Sequence, residues 1–411
     1  MRIGMILDNT QEFPPDIRVE KEIKALVAAG HQVFVLSPKY KQESATSEFM
    51  PKLGATVDKV VLGAVAGRYL ANAWRAITMF DTRWLEVTRN FVDRHQLEIL
   101  HVHDLFTVPA IVQVGKEKSI PVVADLHENM PAAMRAERST FPLWKRLLMG
   151  TLYNYHWMQW KEARALKKCA AVVIVVPEAA DRLLSYDIPK SRIHVISNTE
   201  DELTFQFKPE HADFSIREQY KNKFVISYIG GIGVHRGLDT TLKAMPHIIK
   251  ELPNIHFLIV GADPKSKADI DVMVAELNIG AYVEVHLWQP FDKVNSYVMA
   301  SDVCLVPHND FEHTQTTIPH KLFQYMICGK PVLVSDCKPL KRIVEQANAG
   351  AIFRANDEKH LAKTLVQMAA FPEVLVEMGK NGQRAALGPL SWKKDAELLV
   401  DMYLQIEQLK R

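Results

Sequence analysis

Phe224-Val225-Ile226-Ser227-Tyr228-Ile229-Gly230-Gly231-Ile232-Gly233-Val234-His235-Arg236-Gly237-Leu238-Asp239 is the stretch whose reading decides the fold. Phe224–Tyr228 is an aromatic and β-branched run of strand length, a glycine-dense turn follows it, and a helical pattern opens at Leu238. A strand handed through a tight turn to a helix is the repeating unit of a parallel sheet wrapped by crossover helices. The unit recurs downstream at Phe257–Val260, Val283–Leu287, Val303–Val306, Pro331–Val334 and Ala351–Phe353. Upstream, a separate series runs through Ile3–Leu7, Val33–Leu36, Ile99–Val102, Val122–Ala124, Val172–Val176 and Ile193–Ile196. Between the first two of these, residues 16–30 place Val19, Ile23, Leu26 and Val27 on one face and Gly30 where a helix C-cap belongs. The chain therefore reads as α/β, with two tandem doubly wound parallel-sheet domains at 1–200 and 201–390. A helical tail at 391–411 follows the Gly388-Pro389 break and is able to return to the first domain. The polar stretch 199–223, with Pro209, reads as the linker.

The length of 411 residues suits two domains, and 48% hydrophobic with 24% charged residues is ordinary for a globular chain. Fifty Lys plus Arg against 48 Asp plus Glu, a net charge of +2, supplies no global field for binding nucleic acid. The cysteines, Cys169, Cys304, Cys328 and Cys337, form no close pair and suit a reducing, cytoplasmic compartment. The start reaches Asp8 within one strand length and lacks the apolar core of a secretory signal, and no apolar run approaches the ~18 residues of a membrane span.

In open parallel sheets, ligands bind outside the carboxyl ends of the strands. Gly230, Gly231, Gly233 and Arg236 stand there, and backbone amides, a helix dipole and one guanidinium together suit a diphosphate. The bland reading is a tight turn with a solvated arginine. After Val303–Val306, residues 307–326 bring hydroxyls and histidines into a helix, with Thr316, Thr317, Lys321 and Gln324 equipped for a hydroxylated, anionic ligand. In the first half, His101 and His103 point the same way from one strand; no third ligand is evident, so no metal site is expected there. His127, with Glu128 beside it at the next strand's end, is the better catalytic candidate.

These residues resemble the retaining GT-B glycosyltransferases, in the family 4-like group that includes bacterial polysaccharide and glycolipid sugar transferases. The resemblance covers nearly the whole chain. It rests on Phe13 to Glu22 with Ala29-Gly30-His31, His101-Val102-His103-Asp104, Pro121 to Glu128, Val195 to Asn198, Gly230 to Leu238 and Val260-Gly261. Its most specific part is Pro319-His320-Lys321-Leu322-Phe323-Gln324-Tyr325-Met326, followed by Gly329-Lys330-Pro331-Val332 and Ser335-Asp336. It implies a nucleotide-sugar donor, most often a UDP-sugar, held by the second domain. The acceptor, a glycan, a lipid-linked sugar or a small molecule, lies against the first domain, with no metal or other cofactor. Arg236 matches the residue that contacts the donor diphosphate, and His127 matches a histidine lining the reaction centre. Asp16, Arg18 and Asp104 match acceptor-facing loops, and His103 and Glu128 beside them complete that set. The chain departs from the family's pattern where Gly231 stands in place of an arginine that many relatives carry, where Thr316 and Gln324 stand in place of glutamates, and in the N-terminal loop, where Pro14-Pro15 stands in place of the double glycine often found there.

No carboxylate is placed as a covalent nucleophile, so retention through same-face attack is the expected course. Two rivals stay open: a sugar-nucleotide epimerase of the same architecture, and a pseudo-enzyme that binds nucleotide without turnover. Residues 134–160 interleave Arg138, Lys145 and Arg146 with Trp144, Tyr153, Trp157 and Trp160. That composition suits either the surface of an anionic membrane, with the enzyme peripheral on its inner face, or an aromatic helix face packed into the first domain's core.

Overall fold

The computed structural model describes residues 1–7, 13–39, 45–62, 77–205 and 213–408. The chain forms two compact units, Met1–Ser197 together with Lys393–Arg411, and Asn198–Trp392.

The first unit is built on β1 (Arg2–Ile6), β2 (Gln32–Pro38), β3 (Thr46–Met50), β4 (Ala55–Val60), β5 (Ile99–His103), β6 (Val122–Leu126), β7 (Ala171–Ile174) and β8 (Ile193–Val195). They form one sheet in the order β3-β4-β2-β1-β5-β6-β7-β8, parallel except for the β3–β4 pair. Every residue of β5, β6 and β7 is buried, as a sheet covered on both faces requires. Two strands are additional to the sequence reading. β3 is an exposed edge with no apolar run, and β4 carries Asp58 and Lys59. Asp58 is buried nonetheless, because Arg94 reaches it at 3.0 Å and His95 at 2.9 Å. The helix Trp392–Gln408 buries Leu399, Met402, Tyr403 and Ile406, and from Lys393 onward belongs to this unit.

The second unit contains β9 (Phe224–Ile229), β10 (Ile255–Ala262), β11 (Val283–Leu287), β12 (Val303–Val306), β13 (Val332–Ser335) and β14 (Gly350–Phe353), all parallel, in the order β11-β10-β9-β12-β13-β14. The helix Leu238–Glu251 lays Leu242, Met245 and Ile248 into a core with Ile226 and Ile259. Strand order reverses between β9 and β12, which marks the crevice outside their carboxyl ends as the ligand position. The first sheet reverses between β1 and β5 in the same way. Of the stretch read as linker, Glu202–Phe205 and Phe214–Gln219 are short helices, and Pro209 lies outside the described residues.

Two glycines hold the β9 turn close to its neighbours. Gly261 has φ +106°, and a Cβ there would lie 2.9 Å from the Gly230 carbonyl oxygen. Gly237, at φ +70°, would bring a Cβ to 1.7 Å from the Pro307 carbonyl oxygen, so only glycine lets the loops after β9 and β12 meet. Gly237→Ala must both strain φ and push backbone apart. A loss of about 3 kcal/mol in denaturant-unfolding stability is expected, and an unchanged midpoint and slope would show the loops to be looser than described.

Candidate active site

In the second unit, three interactions shape the ground outside β9 and β12. The Asn309 side-chain amide donates to the Val234 carbonyl at 3.0 Å and to Asp239 at 3.1 Å, clamping the turn Val234–Arg236 against the loop after β12. The Tyr325 hydroxyl accepts from the Ile229 amide at 2.8 Å and donates to the Ile229 carbonyl at 3.1 Å, which pins the helix His320–Ile327 to the end of β9. Lys321, one turn earlier on that helix, is thereby carried over the Tyr228 ring, its Nζ 3.4 Å from the centroid.

Lys321 is 8% exposed and its ammonium has no hydrogen-bond partner among the described residues. Burial, and then Arg236, push its pKa well below the usual lysine value. Arg236 Nη1 lies 3.2 Å from Nε2 of His308, which must accept there. Burial and Arg236 keep His308 neutral, and the same causes lower His235 to about 3 and His313 to about 4. Among the described residues no carboxylate lies within ion-pairing distance of Lys321 or Arg236. The place is net positive and partly dry, and it is suited to receive an anion.

The other donor-side candidates divide. Gly230, at φ +125°, closes against β10 by donating its amide to the Val260 carbonyl at 2.8 Å, and Gly233 is extended at φ −166°. Gly231 is exposed, and its carbonyl accepts the Tyr228 hydroxyl at 2.6 Å. Thr317 is half-buried on the loop after β12. The Thr316 hydroxyl is taken by the carbonyls of Glu312 and His313, and the Gln324 side-chain amide by Glu200 at 2.9 Å. Glu200, buried and 124 residues distant in sequence, was missed because nothing local marks it.

In the first unit, Asp16 caps the helix Ile17–Ala28, accepting from the amides of Arg18 and Val19 at 3.1 Å each, while Glu20 accepts from the Asp16 amide. Arg18 and His103, read from sequence as acceptor-facing, are interior instead, 3% and 1% exposed. The Arg18 guanidinium grips Asp125 at 3.0 Å and Glu22 at 3.0 Å, and donates to the Ile196 carbonyl at 3.1 Å. Both residues therefore lie behind the surface that they were expected to form. Asp125 and Glu22 were also missed, since a charged residue inside a strand or on a helix reads as solvated until its partner is known.

His127 is what this interior presents outward; its side chain is 23% exposed. Its Nε2 lies 3.1 Å from Nδ1 of His103 and 3.6 Å from Asp125, and its Nδ1 lies 3.8 Å from Asp104. Burial opposes a charge on His127, but Asp104 and Asp125 outweigh it and raise its pKa to about 10. Burial and His101 hold His103 well below the usual value, so His103 accepts and His127 donates. Asp104 sits at φ +65°, a left-handed conformation that aspartate tolerates, and burial raises its carboxyl. Glu128 follows His127, half-buried, just before the helix Met130–Arg138.

Glu22, His101, His103 and Asp125 bring potential metal-ligand atoms within 4.8 Å of one another. Their arrangement does not fit a shared ion. The imidazoles of His101 and His103 stack at 4.6 Å with an 8° interplanar angle, so one ion cannot lie in both ring planes, and Arg18 already supplies positive charge between the two carboxyl groups.

The fold finds its counterpart in known proteins. Residues 17–201 match the family model described as Glycosyltransferase Family 4, and residues 210–385 match that of Glycosyl transferases group 1. The chain belongs to the family 4-like GT-B glycosyltransferases. It is 23% identical to the phosphatidyl-myo-inositol mannosyltransferase of Mycolicibacterium smegmatis over 89% of this chain and 84% of that one. Sucrose-phosphate synthase from Thermosynechococcus elongatus superposes with a TM-score of 0.77 at 18% identity, over 99% of each chain. Anabaena HepE in complex with UDP does so at 0.72 and 12% identity, over 98% of this chain and 100% of HepE. These structures establish the GT-B fold.

Breaking the Arg18 cluster should be costly in a defined way. Arg18→Met leaves two carboxyl groups in a dry interior and is expected to lower stability by about 3–5 kcal/mol, read by denaturant unfolding. His127 adds a pH signature. Because its pKa is raised from 6.5 to about 10, its contribution to stability is complete below pH 6.5 and is lost progressively as pH rises to about 10. His127→Gln should remove that part of the slope between pH 7 and 9; an unaltered slope would show that His127 is neutral in the folded protein.

Proposed function

We propose that this glycosyltransferase moves a hexose or related sugar from a UDP-sugar to a glycan, a lipid-linked sugar or a small-molecule acceptor, with retention of anomeric configuration. One observation carries the reading: Arg236 and the buried Lys321 amine, two basic side chains with no carboxylate in ion-pairing distance among the described residues, stand outside β9 and β12, where a diphosphate would supply the counter-charge. HepE, which shares the fold, holds UDP. No metal is needed in this reading, because the two side chains provide the charge that stabilises a departing diphosphate.

In the transfer, the bond from the anomeric carbon to the leaving phosphate oxygen breaks while the acceptor oxygen bonds to the same face of the sugar. The acceptor proton passes to the departing phosphate oxygen. The described donor side offers no carboxylate as a covalent nucleophile, which favours this course over a glycosyl-enzyme. His127, kept cationic by Asp104 and Asp125, serves as a hydrogen-bond donor at neutral pH and not as a base. Asp16, Asp104 and Glu128 are the remaining acceptor-side contacts in this reading. The four cysteines are free and buried, which suits work in the reducing cytoplasm.

The test is UDP binding by titration calorimetry. Arg236→Ala should weaken it by about 10- to 100-fold; undiminished affinity removes the foundation of the reading. Burial and Arg236 depress the Lys321 pKa and a diphosphate would raise it again, so proton uptake on binding should grow, and affinity fall, as pH is raised through the free-state value. Lys321→Met should abolish that uptake. With a turned-over substrate, a product of inverted configuration would overturn retention.

A further inference from the structure

The helix Leu143–Leu152 buries none of its residues. Leu143, Trp144, Leu147 and Leu148 are 52–69% exposed, and Lys145 and Arg146 stand among them. The next helix, Tyr155–Leu166, explains how such a surface is attached: Met158, Glu162, Ala165 and Leu166 face inward. The opposite stripe carries Trp157, Trp160, Lys161 and Arg164, spaced i, i+3, i+4, i+7. The indoles of Trp157 and Trp160 stack at 5.0 Å and 16°, with Lys161 5.0 Å and Arg164 5.4 Å from their rings. The Trp157 indole N–H is satisfied by the Ile77 carbonyl at 2.8 Å, so the ring faces outward without an orphan donor. The reading of this region as an aromatic face packed into the core is thus corrected: its inward face is the small, partly polar one, and its tryptophans lie outside.

Charge identifies what covers the surface. From Arg138 to Lys168 there are seven Lys or Arg and a single acid, Glu162, which is buried and paired with Arg182, whereas the whole chain is nearly balanced at +2. A second copy docked through a twofold axis would set Lys145 and Arg146 against their own kind. An anionic lipid surface meets both demands at once: acyl chains take the leucines and indoles, and lipid phosphates take the cations at headgroup depth. No described helix is long and apolar enough to cross a membrane. We propose that the surface formed by Leu143–Leu152 and the outward stripe of Tyr155–Leu166 docks this protein on an anionic lipid bilayer. The inference is independent of the donor reading, and it selects a lipid-borne acceptor among the acceptors named above.

Flotation of the full chain with vesicles of phosphatidylglycerol and phosphatidylethanolamine, against pure phosphatidylcholine, tests it. Co-flotation with the anionic vesicles only, weakening as salt rises, is expected. Trp144→Ser with Leu147→Ser, and separately Lys145→Glu with Arg146→Glu, should each reduce the bound fraction about tenfold or more while UDP affinity and thermal melting stay as in the wild type. Wild-type protein that floats with no vesicle, variants that bind as the wild type does, or a sedimenting dimer that the Trp144 and Leu147 changes dissolve would each overturn it. Arg236→Ala should float normally, so failure of the donor site and failure of this surface are told apart.

Discussion

Positive charge held without a partner organises the second unit. A lysine in dry surroundings beside an arginine is unfavourable, because burial and the like charge both penalise its charged form. Lys321 relieves that cost by a depressed pKa, and the neighbouring histidines relieve it by staying neutral. Neither adjustment is a property of these residues alone. Tyr325 fixes the helix, Asn309 fixes the turn, and Gly237 lets the two loops meet, so the cations are kept together by groups that carry no charge. Pre-set positive groups of this kind are what electrostatic stabilisation of a leaving group requires in general.

The first unit solves the opposite problem. Arg18, Glu22 and Asp125 are as deeply buried as any side chain in the protein, but their charges are matched among themselves. Arg18 and His127 hold Asp125 well below the usual carboxylate range against the effect of burial, while burial and Asp125 push Glu22 well above it, as one proton shared by two carboxyl groups demands. Tyr403 extends the network by meeting Nδ1 of His101 at 2.7 Å, which ties the last helix to the strand that carries His103. His127 leaves this interior for the surface beside Asp104, and it leaves as a cation. The two sheet ends thus differ in kind: one gathers basic and neutral side chains with no acid in ion-pairing distance among the described residues, the other holds a histidinium on a buried network of matched charges.

Much of this was legible in order and little of it in partnership. The strands of the second unit stand out because five are short, mainly apolar runs bounded by polar turns and β11, Val283–Leu287, alternates apolar with polar residues, and the strand order then places Gly230–Arg236 and Lys321 at one crevice. β3 and β4 escaped because an exposed edge strand and a strand with a buried ion pair carry no such run. Arg18 and His103 were placed near the right chemistry but on the wrong side of the surface. Sequence spacing fixes which strand end bears a residue, whereas orientation depends on contacts such as Arg18 with Asp125, 107 residues apart. Charge state is harder still to foresee, since His103 and His127 are adjacent in space with opposite shifts.

The same dependence on distant partners bears on the positions where this chain departs from its relatives. A glutamine at 324 in place of a glutamate looks like the loss of a carboxylate that a ribose would use. Glu200 lies 2.9 Å from the Gln324 amide and is itself buried. A glutamate at 324 would set two carboxylates in contact with almost no water to screen them, which forces one to take up a proton. The glutamine instead donates to Glu200, so the locality holds one acid and a neutral donor for it. Read in isolation, position 324 suggests decay; read with its partner, it is the residue type that a buried carboxylate at this distance accommodates without a change of protonation.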